Sequence, residues 1–242
     1  MSYKIENLSI VIPTLRESQN IKKLTEDIIK NINIINYEIL FIDDNSKDGT
    51  EEILKELNEK NKNIKYIIRK EKKQDLSKSC ILGFENSSYN NILVMDGDLQ
   101  HDPQDINTLA KVYHSEGLDI VVGSRNLFHR KNEGLSLVRL KASQIIILIT
   151  SILLGKKTND PMSGFFIFKK EIYQTNKKKM FLKGYKILLD LIYSSNKKLK
   201  IVDVDINLRK RSVGTSKMSF KIIILIIILI IRKLFRKLNI FI

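Results

Sequence analysis

Cysteine is almost absent from the sequence: Cys80 stands alone, which excludes an intramolecular disulfide. No apolar run with a small-residue cleavage site follows Met1, so nothing marks the chain for secretion, and a reducing, cytosolic setting is expected. Aromatic residues make up 7% of the chain, include no tryptophan and do not cluster. Stacking platforms for single-stranded nucleic acid are therefore missing. With three prolines and no Gly/Ser-rich stretch, no linker divides the body of the chain. Long apolar runs are lacking too: Ile222 to Ile231 is ten uninterrupted aliphatic residues, half of the roughly 20 needed to cross a bilayer.

What the chain has in abundance is positive charge, with a net +15 at pH 7. From Lys197 onward, twelve Lys or Arg stand against Asp203 and Asp205, so ten of the fifteen net charges lie in the last fifth. That charge brackets the short aliphatic block, with Lys221 before it and Arg232, Lys233, Arg236 and Lys237 after it. Such a segment suits a helix lying at a membrane surface, its basic stems reaching toward anionic headgroups. A buried core helix and a shallow re-entrant insertion remain open alternatives. Residues 136–154 form a second such element, basic early (Arg139, Lys141) and almost wholly apolar late. A core helix is again the alternative reading.

The first half alternates strands and helices as a doubly wound parallel sheet requires. Strands are expected at 8–12, 37–42, 64–69 and 92–95, with helices at 17–31, 50–61 (capped by Thr50) and 77–86 between them. Further strands are expected at 119–123 and, at an edge, 201–204; the apolar run 165–168 follows a tight turn at Asp160 to Gly164. Ligands of such sheets sit at the carboxyl ends of strands. Pro13 to Glu17, Asp43-Asp44-Asn45-Ser46 and Asp96-Gly97-Asp98-Leu99-Gln100 would converge on one rim.

Asp96-Gly97-Asp98 brings two carboxylates near one point, and a hard cation held by one or two carboxylates plus substrate phosphates fits there, with Gln100 adding a neutral oxygen. A calcium-binding EF-hand does not fit: counted from Asp96, its sixth and twelfth positions are His101 and Asn107. Arg139 and Ser143, four apart on one helical face, could present a guanidinium and a hydroxyl to a phosphate, with Arg125 as a further cation. Arg211 and Lys217, bracketing Gly214, suit a loop closing over a diphosphate. His101, His114 and His129 show no ligand spacing and Cys80 no histidine partner, so neither zinc chemistry nor a cysteine nucleophile is supported.

Five motifs in order carry a family resemblance: Ile12-Pro13-Thr14 with Glu17 and Asn20; Ile42-Asp43-Asp44-Asn45-Ser46-Lys47-Asp48-Gly49-Thr50; Met95-Asp96-Gly97-Asp98-Leu99-Gln100-His101-Asp102-Pro103; Val122-Gly123-Ser124-Arg125; and Asp160-Pro161-Met162-Ser163-Gly164-Phe165-Phe166. Over about residues 8–220 the chain resembles the inverting family 2 glycosyltransferases of GT-A fold, closest to the dolichol-phosphate mannose synthase group. The resemblance implies an α/β, Rossmann-like, mostly parallel sheet flanked by helices. The catalytic domain would span 1–217, including an interface helix at 136–154, and a short apolar and basic membrane-associating segment would span 218–242.

The resemblance also implies roles. Pro13, Thr14, Glu17, Asp43 and Asp44 would contact the nucleotide sugar, with Asp96 and Gly97 supporting it and Asp98 and Gln100 holding Mg²⁺ or Mn²⁺. Arg125, Arg139 and Ser143 would hold a lipid phosphate, Asp160 would belong to the catalytic set, and Arg211 and Lys217 would clamp the diphosphate. Mannose would pass from GDP-mannose to a polyprenyl phosphate at the cytoplasmic face of a membrane. UDP-glucose as donor, and a polysaccharide or neutral lipid as acceptor, are the alternatives within the family; a non-enzymatic basic module binding membrane or nucleic acid is the alternative outside it. No nucleic-acid motif is present, and acidic loops would repel that partner. Two positions depart from the family pattern: Arg16 where asparagine is usual, and Asp75 where glycine usually precedes Leu-Ser.

Overall fold

In a computed structural model, the chain is described at residues 6–71, 73–115, 117–125, 127, 137–210 and 220–238, with backbone alone at 115, 137–139 and 220–223. The strands are β1 (Asn7–Thr14), β2 (Asn36–Asp43), β3 (Ile64–Ile68), β4 (Asn91–Val94), β5 (Ile120–Ser124), β6 (Phe166–Lys169) and β7 (Ile201–Asp205). The helices are α1 (Ser18–Asn31), α2 (Thr50–Lys60), α3 (Leu76–Asn86), α4 (Gln104–Ser115), α5 (Leu137–Leu154), α6 (Lys170–Asn176), α7 (Ile187–Ser194) and α8 (Phe220–Lys237). One seven-stranded sheet runs in the order β3-β2-β1-β4-β6-β5-β7. Every neighbouring pair is parallel except the two made by β6, which is antiparallel to β4 and β5.

Two-residue periodicity sends alternate side chains of each strand to opposite layers. On β1, Leu8, Ile10 and Ile12 pack with Ile21, Leu24 and Ile28 of α1 and with Leu109 of α4, whereas Val11 faces Cys80 and Phe84 of α3. All of these are essentially inaccessible to solvent, and each large side chain so buried contributes about 1.5–3 kcal/mol. Gly83 sets the closeness of α3 to the sheet, because a Cβ there would lie 2.3 Å from Val11 Cγ1. That approach brings the first turn of α3 to the rim above β1.

A third cluster lies outside these layers. Ile147 and Leu154 of α5 pack with Leu189 of α7 and with Ile226, Leu229 and Ile230 of α8. The opposite flank of α5 leaves Ile145, Leu148, Ile149 and Ile152 exposed, and α8 likewise exposes Ile224, Ile227, Ile228 and Ile231. Each helix is therefore half core and half uncovered apolar surface. Among the described residues no helix is long and apolar enough to cross a membrane.

The helix expected to be capped by Thr50 begins with that residue instead. The N-cap is Gly49, which has no side chain to cap with, and Thr50 instead donates its N at 3.3 Å and its Oγ1 at 2.6 Å to Asp48 Oδ1, one residue before the cap. The apolar run at 165–168 proves to be the one reversed strand, entering the sheet between β4 and β5.

Candidate active site

Because six strands share one direction, β1, β2, β4 and β5 all end on the same rim, and reversed β6 begins there. The loops expected to converge do so. Pro13, Thr14 and Glu17 after β1, Asp44 after β2 and Asp96, Gly97 and Asp98 after β4 line a cleft of about 150 Å³. Leu76 and Ser79 of α3 and Tyr185 ahead of α7 complete its walls.

Asp43 and Asp44 part company. Asp43 accepts from Thr14 Oγ1 at 3.2 Å, from Ser46 N at 2.8 Å and from Ser46 Oγ, which fixes the turn leaving β2. Asp44 lines the cleft, where its carboxylate pairs with buried Arg69 and accepts the Asp75 amide at 2.6 Å. Burial raises the Asp44 pKa against the opposing pull of the Asp75 amide and Arg69.

The Asp96–Gln100 turn is tightened by Leu99, held at φ 63°, and by Gln100 N donating to Asp98 Oδ1 at 3.1 Å. Asp98 and Gln100 are 7% and 8% exposed, and Gln100 Nε2 donates to the Arg209 carbonyl at 3.2 Å. Arg209 in turn pairs with Asp102. The two turns at the rim touch through glycine: a Cβ on Gly164 would lie 2.5 Å from Asp96 Oδ2, so the carboxylate rests directly on that backbone. Gly97 has a related role, since its Cβ would meet Thr14 Cγ2 at 3.1 Å.

Across the rim, Arg125 and Asp160 form a two-bond ion pair, Nε to Oδ2 at 2.5 Å and Nη2 to Oδ1 at 2.8 Å. Asp160 is 1% exposed. Burial opposes both charges, but each partner overrides it, raising the Arg125 pKa and lowering that of Asp160. Ser163 Oγ pins the following turn by donating to the Gly123 carbonyl at 2.7 Å.

Residues 9–176 match the profile described as Glycosyl transferase family 2, which covers more than half of the chain. The chain belongs to glycosyltransferase family 2. It is 35% identical over 218 residues to a dolichol-phosphate mannosyltransferase of Pyrococcus furiosus, spanning 89% of this chain and 60% of that protein's length. A dolichol-phosphate mannosyltransferase of Saccharomyces cerevisiae is 28% identical over 226 residues, spanning 89% of this chain and 82% of that protein. Among solved structures, glucosyl-3-phosphoglycerate synthase of Mycobacterium tuberculosis, in complex with Mn²⁺, uridine diphosphate and glucosyl-3-phosphoglycerate, superposes with a TM-score of 0.71 at 17% identity, covering 97% of this chain and 81% of that one. At that identity the likeness shows the fold, which is GT-A.

In this glycosyltransferase, Lys186 is a charged group that sequence reasoning missed. Its Nζ donates to the Met162 carbonyl at 3.1 Å. Burial, aided by the Arg125 charge and opposed by Asp160 and Asp96, brings its pKa down to about 8. Tyr185 was missed as well; burial raises its pKa, and the Asp75 and Asp44 charges add to that. Neither position carries a motif, and both reach the rim only because the segment ahead of α7 folds over α3.

Ser143 lies partly buried on α5, four positions after Arg139, whose side chain is outside the described residues. Arg211 and Lys217 also lie outside them. The segment leading to those two residues is nonetheless tied to the acidic turn, since Arg209 N donates to the Gln100 carbonyl at 2.8 Å.

Proposed function

We propose that the chain transfers a hexosyl group, with mannose from GDP-mannose as the first candidate, to the phosphate of a dolichyl or undecaprenyl phosphate, inverting the anomeric carbon. The observation that carries this reading is one rim holding both an acidic cleft and the Arg125–Asp160 ion pair, with α5 and its uncovered apolar flank inserted in the chain between those two residues. Dolichol-phosphate mannosyltransferases among its relatives support the acceptor class.

The donor set at the acidic turn fits a divalent cation that is shared with substrate. Among the described residues no group of three or more His, Cys, Asp or Glu gathers to hold a metal alone. A cation resting on Asp98 and Gln100 would take its remaining oxygens from the diphosphate. Mg²⁺ or Mn²⁺ there would neutralise charge on the departing nucleoside diphosphate. Pro13, Thr14, Glu17, Asp44 and Asp96 bind and orient the donor, while Asp43 acts through the turn it fixes. Arg125, kept charged and aimed by Asp160, holds phosphate oxygens, and Arg139 and Ser143 hold the acceptor phosphate. Arg211 and Lys217 close over the diphosphate.

A phosphate monoester has its second pKa near 6 and is largely dianionic at neutral pH, so its oxygen attacks without a strong general base. The new C–O bond forms as the bond from the anomeric carbon to the diphosphate breaks, in line, with the nucleophile already oriented. The apolar flanks of α5 and α8, rimmed by Arg232, Arg236 and Lys237, rest on the cytoplasmic face of a membrane, where the lipid phosphate is presented.

The test is transfer of labelled sugar from GDP-mannose, and in parallel from UDP-glucose, into an organic-extractable product, with polyprenyl phosphate vesicles and Mg²⁺ or Mn²⁺. Metal-dependent, acid-labile label from one donor, lost in Asp98→Ala, is the expected result. Folded protein that binds nucleotide yet labels no lipid would move the reading to a polysaccharide or neutral-lipid acceptor. A purely basic binding module would bind its partner as well or better after Asp98→Ala.

A further inference from the structure

The segment Phe181 to Lys186 crosses from the middle of the chain to the acidic cleft and supplies its Tyr185 wall and the Lys186 cation. Two residues of this strap, Leu182 (φ 56°) and Gly184 (φ 96°), lie in the left-handed region, so the path is held by its attachments and not by regular structure. One attachment is concentrated on Asp75. Both of its carboxylate oxygens accept the Gly184 amide, each at 2.9 Å, and Oδ1 also accepts Lys78 N at 3.2 Å, capping α3. The Gly184 carbonyl accepts Ser77 N at 2.8 Å, which locks the glycine onto the first turn of α3. On its other side the Asp75 amide donates to the Asp44 carboxylate at 2.6 Å, and the Asp75 carbonyl accepts Arg69 Nη1 at 3.2 Å. Asp75 is 8% exposed, and Gly184 is buried.

We propose that Asp75 is a positioning residue for the donor: it latches the Gly184–Lys186 strap to the Asp44 wall, setting the width of the cleft that the nucleotide enters. The proposal rests on the nucleotide-cleft reading above. A glycine at position 75 has no oxygen with which to hold the Gly184 amide, so the latch belongs to this chain's own residue. Without it a buried N–H loses its acceptor, and the strap, carrying Tyr185 and Lys186, relaxes away from the rim.

Capping and latching separate by substitution. Serine caps a helix about as well as aspartate but is too short to reach Gly184, whereas asparagine caps the helix and keeps one oxygen of the right length. Calorimetry with GDP and with UDP in Mg²⁺, on wild type, Asp75→Ser and Asp75→Asn, is read beside hydrogen exchange over 181–186 and the urea midpoint of each protein. The expected result is a roughly tenfold weaker Kd and faster exchange in Asp75→Ser, with Asp75→Asn between it and wild type. In turnover, KM for the nucleotide sugar rises in Asp75→Ser more than kcat falls. If folded Asp75→Ser keeps wild-type affinity, or if only its urea midpoint moves, Asp75 is a helix cap alone and the proposal is overturned. Wild-type protein that binds neither nucleotide would instead remove the cleft reading and the latch with it.

Discussion

Lys233→Met measures how α8 is fastened to the catalytic body. Lys233 Nζ lies 2.6 Å from Asp190 Oδ1, and both side chains are 3% exposed. The ammonium also donates to Ser194 Oγ at 2.5 Å and to the Lys179 carbonyl at 3.2 Å. Asp190 meanwhile accepts Phe181 N at 3.0 Å and Leu182 N at 2.9 Å, so the pair joins α8, α7 and the start of the strap. Methionine fills most of the lysine volume, and the substitution therefore isolates the charge. Removing one partner of a buried pair costs about 3–5 kcal/mol, because the other charge stays behind. The lower end applies here: burial already depresses the Lys233 pKa, and the two backbone amides still satisfy Asp190. A loss of about 3 kcal/mol corresponds to a fall in melting temperature of roughly 6–12 °C for a chain of this size. Urea unfolding followed by circular dichroism gives the number, and hydrogen exchange over 220–238 shows whether α8 lets go first. Asp190→Asn combined with Lys233→Met removes the stranded charge but sets an NH2 against one of the two amides, so it should recover part of the loss. A single variant within about 0.5 kcal/mol of wild type would refute the reasoning, since a neutral outcome means water already solvates the pair.

Three further outcomes are expected. Gly164→Ala drives a Cβ into the Asp96 carboxylate at 2.5 Å, a strain of about 1–3 kcal/mol, and calorimetric affinity for GDP or UDP should fall roughly tenfold or more; unchanged affinity would show that Asp96 does not touch the nucleotide. Arg16 stands at φ 56°, which asparagine tolerates better, so Arg16→Asn should raise stability by about 1 kcal/mol in urea, and a loss there would mean the arginine side chain matters more than its backbone. For Lys186, the folded-state pKa of about 8 lies below the ordinary lysine value of 10.5, so the unfolded chain binds more protons between those limits and wild-type stability rises with pH through this group. Against Lys186→Met, wild type should therefore gain about 2–3 kcal/mol between pH 7 and pH 10.5, measured by urea midpoints, and a flat difference would place the ammonium in water.

The parallel half of the sheet was legible because alternation of apolar residues and the loops of acids after them follow from strand geometry alone. β6 was not: Phe166 to Phe168 read as apolar chain, but nothing in three aromatic and aliphatic residues tells which way a fully buried strand runs. α7 is apolar on nearly every side, from Ile187 to Ile192, so periodicity has no polar face to detect. α4 is different, since Ile106, Leu109, Ala110 and Tyr113 have helical spacing, a signal that periodicity alone carries. At the site, adjacent Asp43 and Asp44 had to face opposite ways, and only the fold says that Asp44 takes the cleft. The tight turn at Asp96-Gly97-Asp98 is legible in its own three residues. The glycine on which the Asp96 carboxylate rests is Gly164, nearly seventy positions away, and no local pattern joins the two.

The Arg125–Asp160 pair closes a stretch of chain whose ends are 35 positions apart, and Ser163 with Gly123 closes it again one step outside. In polymer terms this is a noncovalent staple across the neck of an excursion, reinforced by Thr158 and Asn159 donating to Asp203 of β7, and reversed β6 needs it in order to return beside β4. Loop-closure entropy grows slowly with length, so lengthening the excursion costs little entropy while its feet stay joined, and the packing of α5 on α7 and α8 sets the limit. On the proposed function, α5 could thus vary with the acceptor without disturbing the cleft lined by Asp44 and Asp96. The same joint that keeps Arg125 charged holds the two ends of the excursion in register.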